Sequence, residues 1–286
     1  MHQDKIELSF LENYENLQTA LLSTLDISKN QLKKYLTKKE LSKPIKGQCA
    51  YTLPIDILNN QKINPIYTGN KVFTIGESKT IVAVHKPINC HSLPLKYSDT
   101  NCLQNYLTSI QSPLVKVNKE QLERGLLNRL DYETSGLILF AKDDHTYQQV
   151  RSEFDSNVLK KEYIAIVKGQ FPEKIEMMNH LGNSGDRKKV IVSEKGELAL
   201  ASARCLDFRD DKSLVHIELK TGLRHQIRVQ LSNLGFPILG DTLYGGEKER
   251  RLFLHSWRYT LNYNGEKIEF EDKEAELFSR FFDLNT

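Results

Sequence analysis

The chain has 286 residues, which is enough for one large domain plus a small one with a sizeable hydrophobic core. Hydrophobic residues make up 39% and charged residues 27%, and no window approaches the roughly 18 apolar residues of a membrane span, so the composition is that of a soluble globular protein. The net charge of +3 is too small to indicate a nucleic-acid partner by itself, and the lack of a basic and apolar leader predicts a cytoplasmic protein.

The residue types that commonly bind metals or form disulfides show no informative spacing. Four cysteines are scattered without the two-residue spacing of zinc or redox pairs, and we interpret them as reduced, non-catalytic thiols. The histidines around the first proline turn and beside the tryptophan do not resemble a metal-ligand set either. We therefore predict a structural role for His85, His91 and His255, and no metal site.

Positive charge is concentrated near the N-terminus. Residues 27–48 contain seven lysines against one glutamate, whereas residues 265–283 are mainly acidic. Leucines at mostly three- to five-residue intervals up to Leu41 predict two short helices joined by a turn, with Asp26 or Ser28 as the N-cap of the second. The second helix, with Lys33 and Lys34, is basic on its outer face, which indicates either a solvated surface or a small RNA-binding lobe.

The next stretch changes in composition. Residues 43–69 are rich in Pro, Gly and Asn, which predicts a connecting region rather than a packed element. We place a boundary near Asn60. This boundary divides the chain into a small basic N-terminal lobe, residues 1–60, and a second domain, residues 61–286.

The second domain contains short runs of β-branched and aromatic residues bounded by turn residues. The runs "KTIVAVHKP", "GLILFAK", "KEYIAIVKG" and "SLVHIELKTG" predict strands, and the alternation in the last predicts a strand with one buried face. Helical segments are "TNCLQNYLTSIQ", "HTYQQVRSEF" and "RHQIRVQLSNLG", the last ending at a left-handed Gly235. Regular βαβ spacing and a glycine-rich phosphate loop are absent. An α+β fold on a largely antiparallel sheet flanked by helices fits this order.

Asp131 stands out because it directly precedes an apolar strand. The turn residues Thr134, Ser135 and Gly136 follow it, and "LILFA" then enters the core. A carboxylate near apolar surface is costly unless it is paired or used. By itself, Asp131 either caps the turn, pairs with Arg129, or performs chemistry at the edge of the sheet.

Two further segments carry candidate binding residues. If residues 224–234 form a helix, Arg224 and Arg228 are four residues apart on one flank, where they repel each other unless an anion lies beside them. A carboxylate or a phosphate would suit the guanidinium groups, but so would plain solvation of a surface helix. Tyr163, on the opposite strand face from Ile164 and Ile166, either packs in the sheet or offers a ring on which a base stacks.

Taken together and in chain order, these segments resemble the RluA-type family of RNA pseudouridine synthases, over about residues 79–270. "NRLDYETSGLILFAK" is similar to the family's catalytic motif His-Arg-Leu-Asp-x-x-Thr-Ser-Gly, and "VAVHKPINCHSLPL" to its opening strand and Lys-Pro turn. "KEYIAIVKG" resembles its Lys-x-Tyr-x-Ala strand, and "LFLHSWRYTL" its Leu-His-x-x-x-Leu strand. "GLRHQIRVQLSNLGFPILGDTLYG" is similar to its Gly-Arg-x-His-Gln-Ile-Arg helix and Gly-Asp-x-x-Tyr-Gly turn. The resemblance implies the pseudouridine synthase fold, a mixed, largely antiparallel sheet with a central catalytic cleft.

The resemblance also implies residue roles. Asp131 would be the catalytic carboxylate, attacking the sugar at carbon 1 or assisting loss of a proton from carbon 2, so that uracil detaches, turns and rejoins through carbon 5. Arg228 would pair with Asp131 and keep its pKa low. Tyr163 would stack on the uracil, and Arg129 would help to extrude it from folded RNA. Further RNA contacts would come from Arg224, His225, Gln226, Lys33 and Lys34.

The implied partner is structured RNA, with ribosomal RNA favoured over transfer RNA, and the implied enzyme is a monomer that needs no metal or organic cofactor. A catalytically silent RNA-binding or ribosome-assembly factor of the same fold is the alternative. Hydrolysis of a nucleoside bond is a third, although it usually needs two flanking carboxylates and only Glu133 is near.

The sequence departs from the family pattern at three places. Asn128 stands where the family often has His, and Leu223 where Arg is usual. The N-terminal lobe is similar to the two helices of the α-L RNA-binding domain, but the Val-Asn-Gly hairpin expected after them is missing.

Overall fold

A computed structural model of the chain describes residues 5–25, 27–58, 63–152, 158–185, 189–276 and 278. The chain forms two units. The first unit comprises residues 1–68, 93–112 and 119–122, and the second comprises residues 69–92, 113–118 and 123–286. The boundary predicted near Asn60 lies outside the described residues, and the division of the chain at that point stays a prediction.

The described residues of the first unit form a two-stranded sheet and four short α-helices. Its elements are β1 (Lys5–Phe10), α1 (Leu17–Leu25), α2 (Lys29–Tyr35), α3 (Lys38–Leu41), β2 (Cys49–Pro54) and α4 (Leu103–Ser109). The predicted pair of helices is confirmed, since Ser28 caps α2 by accepting a hydrogen bond from the Gln31 amide. The alternative cap, Asp26, lies outside the described residues. A capping box between Thr37 and Glu40 begins α3, which the sequence reading did not separate from α2.

The prediction of a connecting region at residues 43–69 is partly wrong. Strand β2 lies in it and pairs antiparallel with β1, and Leu53 and Ile57 are buried in the core of the first unit. The strand has only six residues and ends in Pro54, so its alternation was too short to stand out from the surrounding turn residues.

The second unit is built on a ten-stranded sheet. Its strands are β3 (Phe73–Glu77), β4 (Ile81–Lys86), β5 (Ser135–Ala141), β6 (Val158–Lys168), β7 (Lys174–Asn183), β8 (Val190–Val192), β9 (Glu197–Arg209), β10 (Lys212–Leu219), β11 (Leu254–Tyr263) and β12 (Glu266–Glu271). Nine strands follow the order β3-β4-β5-β11-β6-β10-β9-β7-β8, and β12 pairs with β11. Strands β5 and β11 are parallel, whereas the other pairs are antiparallel. The predicted α+β fold with a largely antiparallel mixed sheet is confirmed.

Two helices of the second unit were predicted from the sequence. They are α5 (Asp144–Ser152) and α6 (Gln226–Asn233). Gly235, with φ of 85°, follows α6 in the left-handed conformation as predicted. The predicted start at Arg224 was wrong, because His225 has φ of 53° and the helix begins after it. Arg224 and Arg228 therefore do not share a helical flank.

The central strands are buried on both faces. Strand β10 was predicted to bury one face only, yet His216 on its other face is 8% exposed. Its Nε2 lies 2.9 Å from Glu162, and its ring makes an edge contact with Trp257. Glu162 and Trp257, which bury His216, lie on other strands of the sheet, β6 and β11. The alternation within β10 alone could therefore not predict that His216 is buried. No helix in the described part of the chain is long and apolar enough to cross a membrane.

Candidate active site

Asp131 lies in a tight turn immediately before β5. Its backbone carbonyl accepts a hydrogen bond from the Thr134 amide at 3.2 Å, and β5 begins at Ser135. Gly136 has φ of 114°, and a Cβ there would lie 2.3 Å from the Ser256 carbonyl oxygen of β11. Only glycine permits this close approach of the two backbones. The Thr-Ser-Gly turn thus fixes Asp131 against the centre of the sheet, with 26% of its side chain exposed.

The loop after β4 braces the Asp131 turn. Lys86 is fully buried, and its ammonium donates to the carbonyls of Pro87, Cys90 and Tyr132 at 2.9, 2.8 and 3.2 Å. These bonds use all three of its donors. Burial lowers the pKa of Lys86 to about 8, although the charge of Asp131 opposes this shift. The buried cation thus joins the Lys-Pro turn to the residue that follows Asp131.

Arg228 lies at the centre of a cluster of three carboxylates. Its guanidinium donates two hydrogen bonds of 2.7 Å to Asp241 and one of 2.9 Å to Glu133. Its Nη1 lies 3.8 Å from Asp131 Oδ2. Burial acts to lower the pKa of Arg228, but the bonds and charge of Asp241, with the other two carboxylates, raise it overall, so this 3% exposed side chain stays cationic.

His225 presents its other ring nitrogen to Asp131. The Tyr244 hydroxyl accepts a hydrogen bond from the Val190 amide at 2.9 Å and lies 2.8 Å from His225 Nδ1. A hydroxyl that already accepts can donate to Nδ1, which leaves the proton of a neutral imidazole on Nε2, 3.9 Å from Asp131 Oδ1. Burial lowers the pKa of His225 in spite of the opposing charge of Asp131. A neutral N–H group therefore faces the carboxylate at neutral pH.

Tyr163 belongs to a buried chain of hydrogen bonds. Its hydroxyl lies 3.1 Å from the Tyr259 hydroxyl, to which the Asn128 amide nitrogen donates at 3.2 Å. The Asn128 amide oxygen accepts from the Leu139 amide at 2.7 Å. Burial raises the pKa of Tyr163, the bonds from Tyr259 and Ser256 act to lower it, and the charge of Asp131 again raises it. The phenol therefore remains neutral, and it lies close enough to Asp131 to sense its charge.

The remaining predicted site residues differ in their surroundings. Arg129 is exposed two residues before Asp131, and Arg224 is exposed just before α6. Gln226 is 2% exposed and bonds within the protein, with its oxygen accepting from Thr221 and Leu223 and its nitrogen donating to Leu200 and Gln230. Lys33 and Lys34 are exposed in the first unit. The structure thus brings Asp131, Arg228 and His225 into one cluster, with Tyr163 nearby.

Sequence reasoning missed several members of this cluster. Asp241 supplies the strongest bonds to Arg228, and Tyr244 orients His225. Both lie in the "GDTLYG" turn, whose similarity to the family motif predicts no chemical role for either residue. For Tyr259 and Lys86, the sequence predicts only a place in a strand and in a turn. It does not predict that either residue belongs to the site. Within the described residues, no group of three or more His, Cys, Asp or Glu side chains is arranged to hold a metal ion.

This arrangement suits acid-base or nucleophilic work by one carboxylate. Asp131 is partly exposed, and the described part of the chain places no hydrogen-bond donor within bonding distance of its oxygens. The Arg228 cation lies 3.8 Å from Asp131 and occupies neither of its oxygens with a hydrogen bond. A neutral phenol and a neutral imidazole complete the surroundings.

Comparison with known proteins identifies the class of protein. Residues 80–233 match the family described as RNA pseudouridylate synthase. The ribosomal large subunit pseudouridine synthase D of Borreliella burgdorferi is 31% identical over 253 residues, which cover 85% of this chain and 77% of that protein. The ribosomal large subunit pseudouridine synthase C of Rickettsia typhi is 29% identical over 73% of this chain and 70% of that protein.

A solved structure confirms the fold. Human RNA pseudouridylate synthase domain containing 1 matches with a TM-score of 0.59 and 22% identity, covering 71% of this chain and 83% of that one. The family match spans the strand of Lys86, the Asp131 turn, Tyr163 and α6. The resemblance to the RluA type and the prediction of an enzyme are confirmed, and the chain belongs to the RNA pseudouridylate synthase family.

Proposed function

We propose that this RNA pseudouridine synthase isomerises uridines in large-subunit ribosomal RNA, with Asp131 as its catalytic carboxylate. The names of the relatives from Borreliella burgdorferi and Rickettsia typhi, both ribosomal large subunit pseudouridine synthases, support the class of substrate. The same comparison favours ribosomal RNA over transfer RNA.

One observation supports the role of Asp131 above all others. It is a partly exposed carboxylate beside a buried cation whose direct bonds go to other groups, since Arg228 donates to Asp241 and Glu133 and lies 3.8 Å from Asp131. A carboxylate held in a bidentate pair would have its oxygens occupied. Asp131 instead keeps both oxygens available for sugar carbon 1 or for the proton on carbon 2.

The neighbouring residues receive roles consistent with this chemistry. Tyr163 is proposed to stack on the uracil and to lie near the proton that carbon 5 loses at the end. Arg129, exposed beside the carboxylate, is proposed to occupy or brace the space that the flipped uridine leaves in folded RNA. Arg224, His225 and Gln226 are proposed to contribute RNA contacts or to shape the surface that makes them.

Substitution of Asp131 by asparagine tests the assignment. Asp131→Asn should abolish pseudouridine formation while leaving the thermal unfolding midpoint and RNA affinity close to those of the parent, because the amide keeps the shape and loses the charge. The matched control is Glu133→Gln, which neutralises a second carboxylate bonded to Arg228, and it should retain activity. Activity in the Asp131 variant would refute the assignment.

The substrate is identified by mapping pseudouridines in cells with and without the gene. Large-subunit ribosomal RNA from the deletion strain should lack one or more pseudouridines, and a plasmid encoding the parent, but not the Asp131→Asn variant, should restore them. Loss confined to transfer RNA would contradict the proposed substrate while leaving the enzyme class intact.

We also infer that the basic N-terminal lobe, residues 1–60, binds RNA through its phosphates. All seven lysines of residues 27–48 are exposed, and the single glutamate among them accepts hydrogen bonds from Thr37. Exposed lysines of this density would neutralise phosphates and raise affinity without regard to base sequence.

A further inference from the structure

An exposed aromatic ring adjoins the candidate carboxylate. Tyr132 directly follows Asp131, and 41% of its surface is exposed, whereas Tyr163, the aromatic residue assigned to the target base, is 6% exposed. The Cα atoms of adjacent residues are about 3.8 Å apart. Tyr132 is therefore the immediate chain neighbour of the carboxylate proposed to react, and the proposed chemistry does not use its ring.

The backbone under this ring is firmly held. The Tyr132 carbonyl accepts hydrogen bonds from the Lys86 ammonium and the Cys90 amide, each at 3.2 Å. The Ser92 hydroxyl bonds both the carbonyl and the amide of Leu130, at 3.2 and 3.3 Å. These bonds fix the segment on both sides of Asp131, so the position of the Tyr132 ring is set by the same loop that sets the carboxylate.

The ring itself has an aromatic neighbour. The His91 ring lies with its centroid 4.5 Å from that of Tyr132, at an interplanar angle of 40°. Aromatic contacts of this kind restrict the motion of a side chain that would otherwise turn freely at the surface. One part of the Tyr132 ring thus packs on His91 while the rest stays open to solvent.

The surroundings favour a nucleic-acid base over other apolar ligands. Arg129, three residues before Tyr132, is exposed, and among the described residues the structure records no acidic partner for it. A guanidinium and an exposed aromatic ring on either side of a catalytic carboxylate match a polynucleotide, which presents phosphates and bases alternately. Each nucleotide next to an extruded uridine is joined to that uridine through a single phosphate. When the uridine reaches the carboxylate, the neighbouring bases must therefore also lie close to it.

We propose that the Tyr132 ring, braced by His91, is a stacking site for the nucleobase next to the target uridine. This inference rests on the proposed function and adds a second base-binding position to it. Stacking on an aromatic face tolerates every base, so the site would add affinity for an unpaired or splayed neighbour more than it would read sequence. The enzyme would accordingly favour uridines whose neighbouring base can unstack from the rest of the RNA.

Kinetics with large-subunit ribosomal RNA from the deletion strain test the site. Stacking of one base corresponds to about tenfold in affinity, so Tyr132→Ala should raise KM about tenfold and leave kcat at saturating RNA within about twofold. Tyr132→Phe keeps the ring and should behave like the parent. The control is Phe208→Ala on β9, a residue that is also 41% exposed, and it should change neither constant.

A second measurement isolates the stacking contact itself. Binding is compared for a uridine heptamer and for a heptamer whose central uridine is flanked by abasic nucleotides. The parent and the Phe variant should prefer the intact heptamer, and the Ala variant should lose that preference. Equal KM values for the Ala variant and the parent, or loss of activity shared equally by the Ala and Phe variants, would overturn the stacking site. Lack of activity in the parent enzyme would instead refute the proposed function.

Discussion

Asn128 occupies the position where the related motif often carries histidine, and it is 7% exposed. Its two amide atoms serve two different elements, because the oxygen accepts from the Leu139 amide of β5 and the nitrogen donates to the Tyr259 hydroxyl of β11. Tyr259 in turn contacts Tyr163. The residue that differs from the motif is therefore buried and supports Tyr163 through Tyr259.

Replacement of Asn128 should destabilise the fold. Asn128→Ala leaves the buried Leu139 amide without its acceptor and the Tyr259 hydroxyl without its donor, which costs about 1–3 kcal/mol for an unsatisfied buried group. Asn128→His keeps one acceptor and one donor nitrogen at similar places and should lose less. The free energy of unfolding in urea measures both. An alanine variant as stable as the parent would show that water replaces the amide.

The members of the candidate site were predictable from the sequence to different degrees. The ordered motifs pointed to Asp131, Arg228 and Tyr163, whose roles stay predictions, and the structure brings the first two within 3.8 Å of each other. They did not reveal that Asp241 is the main partner of Arg228, since the bond joins residues thirteen positions apart through a turn whose path no periodicity describes. Contacts of this kind depend on tertiary packing, which a single sequence does not encode locally.

At the scale of elements, segments with a continuous apolar run were predicted well. The runs around β4, β5, β6 and β10 proved to be strands, whereas β1, β2, β7 and β9 were missed because their apolar residues are interspersed with exposed ones. The start of α6 was misplaced by two residues because the left-handed conformation of His225 has no sequence signal. That conformation is also what aims the imidazole at Asp131, so the error falls on a candidate functional residue.

A buried polar network joins strands of the sheet behind the Asp131 turn. Asp272, after β12, lies 2.6 Å from His85 Nδ1 on β4 and 3.5 Å from His255 Nε2 on β11. His255 Nδ1 lies 2.8 Å from the Ser135 hydroxyl, which also accepts from Arg251. Burial lowers the pKa of His255 to about 3, Asp272 opposes the shift, and His85 and Arg251 add to it.

This network predicts the pH dependence of stability. Unfolded His255 gains a proton near its ordinary pKa of 6.5, whereas the folded side chain resists protonation down to about 3. The contribution of His255 to the free energy of unfolding is therefore fully present well above pH 6.5 and is lost as the pH falls towards 3. For one such group the loss is about 1.4 kcal/mol between pH 7.5 and 5.5. His255→Gln should reduce the fall by that amount in urea unfolding at the two pH values.

Two other histidines also make stability depend on pH. Burial lowers the pKa values of His216 and His225, so both also destabilise the fold as the pH falls, and both are still present in the His255 variant. The prediction therefore concerns the difference between parent and variant. Identical pH profiles for the two proteins would mean that His255 is hydrated and protonated in the folded state.

At the scale of the whole molecule, the net charge of +3 conceals a strong segregation of charge. Seven lysines of residues 27–48 are exposed on the first unit, while the sequence from 265 to 283 is mainly acidic. A uniform distribution of the same residues would attract RNA weakly and without preferred orientation. Concentrated lysines would give one part of the protein a local attraction for phosphates, which is the role proposed for this lobe.

The salt dependence of RNA binding tests this role. Neutralising both lysines in Lys33→Gln/Lys34→Gln should reduce the slope of log affinity against log salt by up to about 1.8, since each phosphate contact contributes about 0.7–0.9. Lys267→Gln, which removes an exposed charge from β12, should leave the slope unchanged and serves as the control. Binding is measured with large-subunit ribosomal RNA at several salt concentrations. An unchanged slope in the double variant would mean that these two lysines are solvated on the surface of α2 and do not contact phosphates. The second unit would then have to supply the phosphate contacts.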